Sequence, residues 1–241
     1  MKKLLCIFFT LVFLSGNIFS QEKNYPVALK FAPAGIAAGK ITLGGEYNFS
    51  RRNSVTFLIG LPFDKTQSVS FDSKKSDVTS RAFSLMAGYR YYLSRNTMNG
   101  FYIEPYVKYL KHEASGLLNA DLQGQQVIFD SHSNYEGYGL GAQLGYQAII
   151  CKFVVFDLFL IGPEANSAKF NSLSTDITDN IGWNYADAQE AEQQIRDVLK
   201  DIPIVGTKID VKVDTEKKNV ATNYSGFVPG FRIGASIGVR F

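Results

Sequence analysis

The chain contains two histidines, His112 and His132, which are the side chains best suited to act as a general base near neutral pH. Some lipid hydrolases of the outer membrane place a catalytic histidine two residues before a serine on one strand face. Neither histidine has this spacing, because alanine and asparagine stand two residues further along. Glu113 follows His112 and Ser133 follows His132, but neighbouring residues in a loop are weak evidence for a catalytic pair. We therefore predict two exposed histidines and no catalytic residue.

Other ligand-binding patterns are equally weak. No group of Cys, His, Asp and Glu has the spacing of a metal site, and scattered acids such as Asp176 and Asp210 could hold a divalent cation only loosely. The glycines Gly139, Gly141 and Gly145 superficially resemble a dinucleotide-binding loop. They alternate within a strand pattern and open no helix, so that interpretation fails. The sequence predicts no cofactor and no metal.

Eight charged residues recur at alternate positions of extended segments and form the main candidate site. They are Lys30, Glu46, Arg90, Glu104, Lys108, Asp157, Arg232 and Arg240. If these segments span a membrane as strands, a charge facing lipid would cost roughly 2–4 kcal/mol for Arg or Lys at mid-depth. The charges should therefore face a lumen, which eight strands make just wide enough to be filled by side chains. We interpret them as a structural charge network that closes the lumen, with a proton or solute path as the alternative.

The segments that carry these charges alternate apolar and polar residues with a period of two. Each is close to the ~9–11 residues that cross a bilayer at a tilt. The segments are 26–33, 40–49, 54–63, 82–93, 101–111, 137–150, 153–161 and 226–241. An even number of strands suits a closed single-chain barrel, so we predict an all-β fold, a closed antiparallel eight-stranded transmembrane β-barrel.

The connections between these segments alternate in length. Short ones cover 50–53, 94–100 and 151–152, whereas 64–81, 113–136 and 162–225 are long, and only 34–38 departs from the pattern. Outer-membrane barrels have short periplasmic turns and longer external loops, and a soluble sandwich gives no reason for such alternation.

The last long connection has a pattern of its own. We predict a long external loop over 164–225 with an amphipathic helix near 187–201, ended by Pro203, and a short strand over 204–213. The apolar stripe of this helix should pack on the barrel mouth or on its own loop rather than on a partner.

The two ends of the chain carry targeting signals. Residues 1–20 combine a basic start, an apolar run and a small residue at position 20, which predicts a signal peptide and leaves 21–241 as the barrel. Cys6 would leave with this peptide, so Cys151 would remain without an internal disulfide partner. The terminal Phe241 is predicted to face lipid and to act as an assembly signal.

Composition supports a membrane β-protein without a nucleic-acid partner. The chain is 46% hydrophobic and 14% aromatic, its formal net charge is +3, and no basic block or stripe is present. No segment after the leader has the length of apolar residues that a spanning helix requires.

Four further stretches carry a family resemblance. They are Ala28-Leu-Lys-Phe-Ala-Pro33, Leu43-Gly-Gly-Glu-Tyr47, Ile202-Pro-Ile-Val-Gly206 and Val228-Pro-Gly-Phe-Arg-Ile-Gly234, the last together with the terminal Gly-Val-Arg-Phe. With them the chain resembles the small barrels of the OmpA-transmembrane or OmpX kind, and more closely an uncharacterised family of Gram-negative outer-membrane barrels, a domain of unknown function. The resemblance implies location in the outer membrane and insertion by the barrel assembly machinery. It implies no activity.

Three functions remain open on the sequence. We favour a non-enzymatic structural or surface-interaction role, with membrane lipid and lipopolysaccharide as partners and the long loops available to an extracellular partner. A small-solute channel requires a water-continuous lumen, and a lipid-modifying enzyme requires a Ser or His constellation at the outer rim.

Overall fold

The structure, a computed structural model, describes residues 26–71, 74–122, 125–178, 183–184, 186, 188–193 and 209–241. Within them the chain forms the strands β1 (Val27–Ala32), β2 (Lys40–Asn48), β3 (Asn53–Pro62), β4 (Lys65–Phe71), β5 (Lys74–Tyr92), β6 (Gly100–Leu122), β7 (Gln125–Ile150), β8 (Val154–Asp176), β9 (Asp210–Asp214) and β10 (Asn219–Arg240). A short 3-10 turn, Pro33–Ala38, joins β1 to β2. The predicted leader, 1–20, lies outside the described residues.

Eight of these strands close into a ring. The order is β1-β2-β3-β5-β6-β7-β8-β10, every neighbouring pair is antiparallel, and β10 pairs back onto β1. This closure confirms the predicted closed, antiparallel, eight-stranded barrel. No helix within the described residues is long and apolar enough to span a bilayer.

The two ends of the barrel differ. The tight connections β2–β3, β5–β6 and β7–β8 lie at one end, together with Pro26 and Phe241, and we call this the turn end. Cys151 and Lys152 have φ values of 51° and 71°, which gives the β7–β8 connection the left-handed backbone of a tight hairpin turn. The remaining connections lie at the opposite end, the loop end.

The barrel wall is much taller on one side, because β3 has 10 residues and β7 has 26. Beyond the short strands β1–β3, the long strands continue as a curved sheet in the order β4-β5-β6-β7-β8-β10-β9. We call this part the extension sheet.

The extension sheet corrects the predicted loops. Most of 64–81 and 113–136, and residues 162–176 and 219–225 of the last connection, are strand. These stretches carry polar residues on their outer face, so apolar alternation is weak there, whereas backbone pairing between adjacent long strands continues regardless of side-chain type. The last connection thus begins only after Asp176.

The predicted helix over 187–201 is not confirmed. Residues 188–193 have helical backbone, and 194–201 lie outside the described residues. Of the predicted strand over 204–213, the described part forms β9, which begins at Asp210 and pairs with β10.

One irregularity in β8 changes which side chains face inward. The register of β8 against both neighbours shifts between Phe159 and Ile161, so that Leu160 is an extra residue. Leu160 and Ile161 are both exposed on the outer face, whereas Phe159 is buried. Residues that follow the bulge therefore have the opposite parity to Asp157.

Apolar packing concentrates at the two ends of the lumen. At the turn end Tyr92, Met98, Tyr102 and Val155 are fully buried. At the loop end the inner face of the extension sheet forms a larger core. Its buried members are Ala120, Val127, Phe129, Trp183, Ala191, Ile209, Val211, Val220 and Tyr224.

Candidate functional site

Five of the predicted lumen charges meet in one buried group at the turn-end half of the barrel. We call Lys30, Glu46, Arg90, Glu104 and Asp157 the Arg90 cluster. The Arg90 guanidinium lies within 2.6 Å of Glu104, 2.9 Å of Asp157 and 3.3 Å of Glu46. The Lys30 amine lies 2.5 Å from Glu46 and 2.8 Å from Asp157. Two cations and three carboxylates thus bridge strands on opposite sides of the lumen.

Neutral side chains satisfy the remaining lone pairs of these carboxylates. Tyr92 donates to Glu46 at 2.7 Å, and Tyr102 donates to Asp157 at 2.6 Å. The Tyr102 ring also lies 3.7 Å from the Arg90 guanidinium carbon, a cation–π contact. Further hydrogen bonds come from Ser54 to Glu46, from Thr56 and Gln143 to Glu104, and from Lys30 and Arg90 to Gln147. The Arg90 cluster is rigid, because each charged side chain forms hydrogen bonds or ion pairs with several neighbours.

Inward-facing glycines make room for the large lumen side chains. In the register of β6 against β7, Tyr102 lies opposite Gly145, and Tyr106 lies opposite Gly141. A β-carbon at either glycine would overlap the facing tyrosine ring. The glycines of β7 therefore serve packing, as their position within a strand indicates.

A second group of charges lies nearer the loop end. Lys108 pairs with Glu164, and the Tyr106 hydroxyl donates to Glu164 at 2.9 Å. The Arg232 guanidinium carbon lies 4.6 Å from the Phe159 ring centre and 5.4 Å from that of Tyr106.

Arg240 is separate from both groups. Its guanidinium donates to the Lys152 carbonyl at 3.1 Å at the turn-end rim. Of the eight charges predicted from sequence, the structure therefore brings five together, places Lys108 and Arg232 in a second group, and leaves Arg240 at the rim.

A family model described as "Protein of unknown function (DUF3575)" matches residues 6–162. The chain belongs to this family. The match confirms the resemblance to an uncharacterised family, and the matched segment ends at Gly162, within β8.

A search of the curated proteins found no match. Among solved structures, the chain is similar to the crystal structure of CarO from Acinetobacter baumannii. The two share 12% sequence identity over 92% of this chain and 99% of that chain, with a TM-score of 0.38.

Two inward charges, Lys40 and Glu164, were missed by sequence reasoning. Lys40 begins β2 and shares the parity of Glu46, so the alternation could have revealed it. Glu164 was assigned to a loop. The bulge at Leu160 also reverses its parity relative to Asp157, so strict alternation would have placed Glu164 on the outer face.

His132 is exposed, as predicted, but His112 is half-buried on β6, so the prediction of two exposed histidines is wrong for His112. His132 lies on the outer face of β7, with its Nε2 3.2 Å from Asp130, whereas Ser133 points inward and shares a hydrogen bond with Ser172. Among the described residues, no three His, Cys, Asp or Glu side chains are grouped so that they could hold a metal ion.

A polar trough of about 660 Å³ lies on the outer face of the extension sheet. One in-register row crosses it, from Arg81 and Glu113 through Asn134 and Asn171 to Asn223. Arg81 and Glu113 form an ion pair at 2.6 Å. Hydrogen bonds from Lys111 and Arg81 hold the pKa of Glu113 below its ordinary value, so that carboxylate is ionised at neutral pH. We call this feature the outer trough.

On the opposite, inner face of the same sheet, Trp183 packs edge-on against Phe129, with ring centres 5.8 Å apart. Its indole N–H donates to Asp176 at 2.9 Å. Trp183, together with Ala191, therefore covers part of the apolar inner face of the extension sheet.

Proposed function

We propose that this protein is an outer-membrane barrel whose lumen is closed and whose function is an interaction at the cell surface, without catalysis. The Arg90 cluster is the observation that carries the proposal, because it fills the turn-end half of the lumen with paired charges. The proposal has three parts, namely membrane insertion, closure and surface contact.

Membrane insertion is supported by the outer face of the ring. From the turn end to an in-register row formed by Lys111, Glu136 and Lys169, the outward positions of the described strands carry no charged residue. Large apolar side chains on this belt are exposed, including Phe57 at 51%, Val107 at 60% and Ile233 at 66%. Such a continuous apolar surface suits lipid and would be unstable in water.

Closure is supported by burial of the cluster. Glu104 is 0% exposed, Glu46 1%, Asp157 2% and Arg90 3%. Breaking a buried pair by removing one partner typically costs about 3–5 kcal/mol, so thermal opening of a water column through these groups would be rare. The small-solute channel is therefore the less favoured function.

Conductance tests closure directly. Purified wild-type protein in planar bilayers should give no stable single-channel steps, while an open porin inserted under the same conditions serves as the positive control. Reproducible ohmic openings of the wild type that change in Glu104→Ala or Arg232→Ala would replace the closed barrel with the channel.

The proposed surface contact is with the sugar and phosphate headgroup of lipopolysaccharide, at the outer trough. The trough lies just beyond the charged row that bounds the apolar belt, which is where headgroups of an outer leaflet would lie. Lys111 and Lys169 supply positive charge on either side of Glu136, and a row of asparagines offers amide donors and acceptors to sugar hydroxyls.

Photocrosslinking in intact cells tests this contact. A photoreactive residue at Asn171 should give an adduct that carries lipopolysaccharide, and the same residue at Arg52, at the turn end, should not. A protein adduct at Asn171 without lipopolysaccharide would contradict the lipid partner and identify an extracellular protein instead.

A further inference from the structure

A cavity of about 320 Å³ occupies the loop-end half of the lumen, beyond the Arg90 cluster. The 3-10 turn Pro33–Ala38 contributes to one side of it. Charged side chains from β2, β6, β8 and β10 contribute to the rest. They are Lys40, Lys108, Glu164 and Arg232. We call this cavity the upper chamber.

The upper chamber has an excess of positive charge. Its one carboxylate among the described lining residues, Glu164, is already engaged by Lys108 and by the Tyr106 hydroxyl. The Lys40 amine donates to the Ser84 hydroxyl at 3.0 Å, a neutral partner. The Arg232 guanidinium contacts two aromatic rings and the Met86 sulfur. In the described part of the chain, neither Lys40 nor Arg232 has a carboxylate partner.

This charge balance is opposite to that of the Arg90 cluster, where three acids meet two bases. Lys40 and Arg232 are half-buried, and taking a charge even partly out of water is costly unless the charge is paired. Aromatic rings stabilise the Arg232 guanidinium but do not neutralise it. The two cations Lys40 and Arg232 therefore face the chamber without a counter-ion from the described protein.

A buried hydroxyl adds an independent observation. Thr42 is 8% exposed and lines the chamber, and its Oγ1 has no hydrogen-bond partner within the described structure. Buried polar atoms in native proteins are nearly always paired, so the Thr42 hydroxyl is available to donate a hydrogen bond to a ligand or a water in the chamber. Leu58 and Leu110 give the chamber an apolar wall.

We infer that the upper chamber binds a small organic oxyanion, a carboxylate or phosphate with an apolar group, held by Arg232, Lys40 and the Thr42 hydroxyl. Arginine suits the planar, two-oxygen face of such a group, and lysine adds a compact charge. The volume equals that of about ten waters, which is the size of a small aromatic acid. This site does not depend on the proposed surface role, because it lies inside the barrel.

Calorimetric titration of the protein, refolded in zwitterionic detergent micelles, tests the site with defined probes. Benzoate and phenyl phosphate should bind, and their relative affinities distinguish a carboxylate from a phosphate ligand. Benzamide and benzylamine have the same ring without negative charge and should bind at least about tenfold more weakly, since charge-assisted hydrogen bonds are lost.

Paired variants separate binding from folding. Lys40→Met and Arg232→Met should each weaken anion binding by about tenfold or more, with Arg52→Met, partly exposed at the turn end, as the matched control. Glu164→Gln should instead tighten binding, because it removes the negative charge of Glu164 from the chamber and frees Lys108. Glu216→Gln, in the exposed β9–β10 turn, is the control for that change.

Lys40→Met is expected to weaken anion binding and Glu164→Gln to strengthen it, and a general loss of folding would not produce both results. Equal binding of anion and neutral probes, or anion affinity unaffected by Lys40→Met and Glu164→Gln, would overturn the site. If Arg232→Met does not reach the folded state, judged by its gel mobility with and without boiling, the other two variants still decide.

Discussion

Tyr102 and Gly145 lie directly opposite each other on β6 and β7, and the tyrosine ring occupies the space that a β-carbon at position 145 would fill. From there the Tyr102 hydroxyl reaches Asp157 and its ring supports Arg90. A missing side chain on one strand thus positions the buried charges contributed by others.

Gly145→Ala should therefore destabilise the barrel, by about 1–3 kcal/mol, because it forces Tyr102 off its position against the Arg90 cluster. Gly45→Ala is the matched control, since nothing lies within 4 Å of a β-carbon there. Urea unfolding in micelles measures both. Equal midpoints for the two variants would contradict the packing role of Gly145.

Arg90→Met should cost about 3–5 kcal/mol of unfolding free energy, because it leaves three buried carboxylates with Lys30 as the remaining cation of the cluster. Arg81→Met removes an arginine of similar size from an exposed ion pair and should have a far smaller effect. Adding Glu104→Gln to Arg90→Met should recover part of the loss. A stability unchanged in Arg90→Met would show that water already solvates the cluster.

Trp183 offers a local probe of the extension sheet, because it is the one tryptophan of the chain. Burial opposes ionisation of Asp176, but hydrogen bonds from Thr178 and Trp183 and the charge of Lys218 outweigh it and hold its pKa below the ordinary 3.8. Stabilisation by the ionised carboxylate is complete above that ordinary value and is lost as the pH falls through the lowered one.

Acidification through this range, or Asp176→Asn at neutral pH, should shift tryptophan emission to longer wavelength while the barrel stays folded. Asp130→Asn, on the outer face of the same sheet, should leave the emission unchanged. A pH-independent spectrum would mean that the carboxylate does not hold the indole.

The ring could be predicted from sequence because its outer face alternates regularly along the strands, with an interruption at Leu160 in β8. In 226–241 apolar residues occupy every second position, so the orientation that turns them toward lipid also turns Arg232 toward the lumen. The bounds of the extension sheet could not be predicted, since both its strands and loops are polar on the outside. Glu164 was hidden by one extra residue in β8, which no periodicity reveals.

The contents of the lumen were only partly predictable for a related reason. Alternation indicates which residues point inward, but not how far along the barrel axis each one lies. That depth depends on strand stagger, which separates Arg232 from Arg90 and leaves Arg240 at the rim.

Phe241→Ser should reduce the amount of folded barrel in the outer membrane and increase periplasmic degradation. The Phe241 side chain is 51% exposed at the turn end, and its backbone N–H donates to Val27 at 2.9 Å. Arg240→Lys keeps the neighbouring charge and should be far milder. Membrane fractionation with folded and unfolded gel mobility provides the measurement, and normal insertion of Phe241→Ser would make the aromatic incidental.

Orientation can be tested with short epitope insertions. A tag near Lys217, in the β9–β10 turn at the loop end, should be labelled on intact cells, and so should one near Lys74. A tag near Arg52, in the β2–β3 turn, should be labelled only after the membrane is permeabilised. Surface labelling at Arg52 would reverse the orientation.

The pairing of β1 with β10 has a kinetic consequence. These strands stand at opposite ends of the described chain, and their register covers only Ala28–Phe31 against Ile237–Arg240. Every other pair of neighbouring strands in the ring is much closer in sequence, so those strands can pair early. Pairing of β1 with β10 closes the longest stretch of chain and therefore has the greatest entropic cost of loop closure. It is also the shortest pairing, so it should be both the last to form and the first to part under force.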